Sequence, residues 1–111
     1  MSRIVDRSRR VPLHLLVRVR RADPPSSFIE HTRSLNVSGG GICFESHQTL
    51  EVGSRVELAI ELPRPLRRHF GDRAVYRARA VVCRVERIPD TPLAKVGARF
   101  LGEVAAGPRM V

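Results

Sequence analysis

Hydrophobic and polar residues alternate along most of this chain. Over residues 12–20, Leu13, Leu15, Val17 and Val19 fall on one face, and His14, Arg18 and Arg20 fall on the other; Leu16 is out of phase. A period of two is that of a half-buried strand. The alternation is cleanest where Val56, Leu58, Ile60 and Leu62 interleave with Glu57, Ala59 and Glu61. Residues 28–35, 42–45, 73–87 and 93–101 supply four more predicted strands. Pro- and Ser-rich residues 22–27, and residues 51–54 and 89–92, read as turns. The Pro- and Arg-rich segment 63–72 reads as a polar loop. No segment sustains a 3.6-residue period, and Gly107 and Pro108 limit any C-terminal helix to a short one. Six short strands divided by turns predict an all-β fold, a small barrel or sandwich. Closure of the sheet would leave no exposed edge to associate.

Composition narrows this picture. A chain of 111 residues holds one small domain with a modest core. With no Trp, four Phe and one Tyr, that core must be aliphatic. No apolar run approaches the ~18 residues of a membrane span. The N-terminal residues Met1 to Arg10 carry charge without an apolar region behind it, so they do not read as a secretory signal, and a cytoplasmic location is expected. Cys43 and Cys83 lie far apart among Val, Ile and Phe, and are expected to be buried free thiols. There is no Cys-x-x-Cys, and His14, His31, His47 and His69 are scattered, so no metal site is expected.

Charge adds a candidate chemistry. The formal net charge is +9, and Lys95 is the single lysine beside nineteen arginines. Guanidinium groups make planar, bidentate contacts to phosphates and guanine edges, which suggests an anionic partner. Arg3, Arg7, Arg9 and Arg10 cluster near the N-terminus. The run Asn36-Val37-Ser38-Gly39-Gly40-Gly41 lies between two predicted strands. It offers an amide, a hydroxyl and glycine N–H groups that can approach a ligand closely and cradle an anion. No Ser/His/Asp or Cys/His arrangement and no Gly-x-x-x-x-Gly-Lys-Ser/Thr loop is present, so a binding module rather than an enzyme is expected.

The order of these pieces resembles the PilZ domain family of bacterial cyclic di-GMP receptors. Arg7-Ser8-Arg9-Arg10-Val11-Pro12 is similar to the family's arginine motif running into the first barrel strand. Asn36-x-Ser38-x-x-Gly41, followed by Ile42-Cys43-Phe44, is similar to its second motif. Leu58 to Pro63, Val81 to Val85, and Val96-Gly97-Ala98-Arg99-Phe100 resemble its later strands, so the likeness spans about 7–101.

The resemblance implies a six-stranded antiparallel barrel over residues 11–102, a mobile basic arm over 1–10 and a tail over 103–111. It implies cyclic di-GMP as ligand, no cofactor, and a downstream protein partner in second-messenger signalling. Arg10, with Arg7 or Arg9, would grip phosphates and guanines. Asn36 would bond a guanine edge, Ser38 would support a phosphate or base, and Gly41 would keep the wall clear. One departure stands out: the family spacing is Arg-x-x-x-Arg, and Asp6 lies four residues before Arg10. Two other readings fit the same residues. One is a PilZ-like protein-interaction module that binds no nucleotide. The other is a basic barrel for single-stranded nucleic acid, for which the few aromatics make a poor stacking platform.

Overall fold

Among the described residues, seven strands pair antiparallel in one sheet of order β1-β3-β2-β5-β6-β7-β4. They are β1 (Val11–Pro12), β2 (Leu16–Asp23), β3 (Pro25–Val37), β4 (Gly41–Ser46), β5 (Arg55–Glu61), β6 (Val75–Arg87) and β7 (Ala94–Glu103). A further pairing of β3 with β4 closes β2 to β7 into a six-stranded barrel, and β1 adds a short rung to β3. The structure, a computed structural model, describes residues 11–23 and 25–104. The expectations for Asp6, Arg7, Arg9 and Arg10 concern residues outside that range.

The alternation read from the sequence is the alternation of the barrel wall. Val17, Val19, Val56, Leu58 and Ile60 point inward and are buried with Phe44, Ile42 and Val96. Leu16, the residue out of phase, is 51% exposed. The interior is aliphatic apart from Phe44, as the scarcity of aromatics requires. Among the described residues no helix is long and apolar enough to cross a membrane.

Three local features depart from the alternation. The strand expected over 12–20 is interrupted after Pro12, and buried Ser34 of β3 fills the break. Its hydroxyl donates to the Leu13 carbonyl and accepts from the Leu15 N–H, replacing ladder bonds that the irregular backbone cannot make. Second, the segment expected as a loop folds into α1 (Arg64–Arg67) and a 3₁₀ turn at Arg68–Phe70. Leu66 is buried, and Phe70 packs on the core and on Tyr76, which in turn meets Phe100 edge-on. Gly71 ends this element at φ 70°, where a side chain would be strained. Third, β6 and β7 slip register between Val82 and Arg84, which pair with Ala98 and Gly97. Cys83 is the extra residue of this bulge. It turns outward and is exposed, whereas Cys43 is buried; the expectation of two buried thiols holds for Cys43 only.

Glu30 is a buried carboxylate on β3 that organises the end of β4. It accepts from the Ser46 hydroxyl (2.6 Å), the His47 backbone N–H (2.7 Å) and the Gln48 amide (2.9 Å). Burial pushes its pKa up, but those hydrogen bonds outweigh burial and hold it below the ordinary value of 4.5. A carboxylate with a depressed folded pKa stabilises fully above its unfolded value, and the contribution is lost as pH falls through the folded value. Glu30→Gln turns an amide N–H toward one of these donors, so it should cost ~1–3 kcal/mol at neutral pH. Denaturant melts across the acid range should also show a flatter loss of stability than in the unmodified protein. Equal acid slopes would show that Glu30 is not the group responsible.

Candidate ligand-binding cleft

The β3–β4 hairpin carries the Asn-x-Ser-x-x-Gly segment. Buried Ser38 holds the turn: its N–H donates to the Gly41 carbonyl (2.9 Å), and its hydroxyl accepts from the Gly40 N–H (3.1 Å). Two N–H groups of the run are therefore spent inside the turn rather than aimed at an anion. The Phe100 N–H donates to the Gly40 carbonyl (2.9 Å) and ties the turn to β7. Gly41 sits opposite Arg99, and a Cβ there would collide with the Ala98 carbonyl oxygen. Its glycine is required by this close approach of two strands, not by a left-handed backbone. Asn36 is half-buried where β3 meets both neighbours, opposite Pro12 of β1 and Cys43 of β4.

These residues border a cleft of ≈ 810 Å³ on the outer wall of β4, β7 and β6. That volume lies within the range of about 300–1,000 Å³ typical of small-molecule sites. Register explains the depression. Gly41, Cys43 and Gly97 are neighbours across β4 and β7, and Gly97 is also opposite Arg84. Three small residues make a low floor. Around it stand Asn36, Ser38, Arg84, Lys95, Arg99 and Phe100, with Cys83 beside Arg84.

Among the described residues, no carboxylate lines the cleft. Lys95 has Glu45 and Glu86 as register partners, whereas Arg99 faces Gly41 and Val81 and Arg84 faces Gly97. Arg84 and Arg99 thus contribute positive charge that no neighbour across the ladder offsets.

Of the residues expected from sequence, Asn36, Ser38 and Gly41 come together in one cleft. Arg84, Lys95 and Arg99 are cationic lining residues that the sequence reading did not single out. Their outward phase was visible, because Lys95, Gly97 and Arg99 alternate with buried Val96 and Ala98. What the chain does not spell out is the register that sets them beside Gly41.

The family model of the PilZ domain matches residues 5–106. The chain belongs to the PilZ domain family, whose members are regulatory binding modules of the cyclic di-GMP receptor and adaptor class. Among solved structures it is similar to the Bacillus subtilis inhibitor of motility MotI/DgrA. There the TM-score is 0.67 at 22% identity, covering 87% of this chain and 43% of that one. It is also similar to the PilZ domain of CeSA from a cellulose-synthesizing bacterium. That match has a TM-score of 0.53 at 18% identity, with 86% of this chain and 83% of that one covered. Both likenesses are of fold, and the chain spans less than half the length of MotI/DgrA. No curated protein matches the chain.

Proposed function

We propose that this domain is a cyclic di-GMP receptor that holds its ligand in the cleft and signals to a partner protein by ordering its arginine arm. The observation that supports it best is the meeting of Asn36, Ser38 and Gly41 with Arg84 and Arg99 in a cleft that no acid of the described residues lines. The ligand is a dianion with two guanines. Its phosphates match guanidinium forks, and its guanine N–H groups match the Asn36 amide oxygen.

Connectivity supports the part of the arm. The β1 rung pairs Val11 with Val37 and Pro12 with Asn36, and Arg10 is one peptide bond from Val11. By chain length alone, Arg10 is within reach of the hairpin that carries Asn36 and Ser38. Arg7 lies within ~10 Å of extended chain from Arg10, and Arg9 supplies a second choice of partner. A ligand bound by both arm and barrel favours the state in which the arm is ordered, and the partner reads the surface so formed.

Cys83 offers a test without mutagenesis, because it is exposed and lines the cleft while Cys43 is buried. Cyclic di-GMP should slow carbamidomethylation of Cys83 by iodoacetamide, read by mass spectrometry of its peptide, and GTP at equal concentration should slow it less. An unchanged rate at saturating cyclic di-GMP would remove the ligand from this cleft.

A further inference from the structure

The barrel carries a second basic surface, centred on β5 rather than β7 and sharing no residue with the cleft. On the outer face of β2, β5 and β6, the register sets Arg18, Ala59 and Arg77 in one row across three strands. The next row is Ile29, Arg20, Glu57 and Arg79. Ala59 is small between two arginines, so the wall dips there into a groove of ≈ 350 Å³. Two strand spacings put Arg18 and Arg77 about 10 Å apart across it. Among the described residues, Glu57 is the one carboxylate lining the groove, and it is already paired with Arg20. No carboxylate of the described residues forms an ion pair with Arg18, Arg77 or Arg79. Leu16 and Ile29, 51% and 47% exposed, add aliphatic surface on the same face.

We propose that this face docks an acidic segment of a partner protein, one in which carboxylates alternate with aliphatic side chains. Charge complementarity selects the occupant. Residues 1–10 carry four arginines and one aspartate, and residues 105–111 an arginine and no acid, so neither segment has the complementary charge. A second copy of a chain with net charge +9 is repelled. A nucleic-acid strand would find no aromatic platform lining the groove and would meet Glu57 in its middle. Carboxylates of a protein segment take the bidentate fork of Arg, and its apolar side chains cover Leu16 and Ile29. This assignment rests on the receptor reading only for its purpose, which is to give the partner a seat separate from the nucleotide.

The probe is a fluorescein-labelled peptide alternating glutamate and leucine, followed by anisotropy at ~150 mM salt. Its comparison is a single-stranded DNA of equal charge. The Arg18→Ala/Arg77→Ala double variant should bind the peptide at least ~10-fold more weakly. The Arg84→Ala/Arg99→Ala variant should bind it as the unmodified protein does. Thermal melts establish that both variants fold. Three results would each overturn the assignment: an unchanged affinity in the first variant, an equal loss in the second, or tighter binding of the DNA. Calorimetry with cyclic di-GMP on the first variant keeps the two readings apart. Heat equal to that of the unmodified protein is expected, and absence of heat from both proteins would count against the receptor reading while leaving the peptide result standing.

Discussion

Replacing Gly41 with valine should abolish binding in the cleft and destabilise the barrel together. A Cβ at this position collides with the Ala98 carbonyl oxygen, which belongs to the backbone of β7 and cannot swing aside as a side chain would. β4 and β7 must separate to admit it, and overpacking of that kind costs typically about 1–3 kcal/mol. The same movement tilts the hairpin holding Asn36 and Ser38. Gly97→Ala separates the two effects. Its added methyl meets nothing closer than the Arg84 Cβ at 3.7 Å, an ordinary contact, yet it raises the cleft floor. That variant should melt close to the unmodified protein and bind cyclic di-GMP more weakly. A Gly41→Val protein that melts and binds normally would mean that the strands do not pack as described.

Arg10→Ala should weaken cyclic di-GMP binding by at least ~10-fold, because a charge-assisted contact to phosphate is roughly twice as strong as a neutral one. Ser38→Ala should cost less. The Ser38 hydroxyl is buried and already holds the Gly40 N–H, so its loss loosens the turn without removing a charge from the site. Isotherms for the two variants, measured side by side, decide the ranking. An Arg10→Ala isotherm matching the unmodified one would remove Arg10 from the site, and a larger loss in Ser38→Ala would count against an arginine clamp.

The barrel was legible because its strands bury one face each, and a period of two reports that directly. Val56, Leu58 and Ile60 are the plainest case. Features that depend on distant partners were not legible. The break after Pro12 needs Ser34, about twenty residues on, to satisfy its backbone. The Leu66–Phe70 spacing that seats a helical turn lay hidden among prolines and arginines. The outward turn of Cys83 follows from a bulge whose partner strand begins at Ala94.

The site divides the same way. Asn36, Ser38 and Gly41 form a local run and could be read together. Arg84 and Arg99 join them only through the β6–β7 and β4–β7 ladders. The second groove is likewise a product of β5, which brings Arg18 and Arg77 to either side of Ala59.

The measurement that bears most directly on the receptor reading is calorimetric titration of the protein with cyclic di-GMP at ~150 mM salt, beside GTP and a short single-stranded DNA. Saturable heat with cyclic di-GMP alone is the expected result. No saturable heat, or equal and salt-sensitive binding of every anion, would contradict a nucleotide receptor and leave the domain as a protein-interaction module.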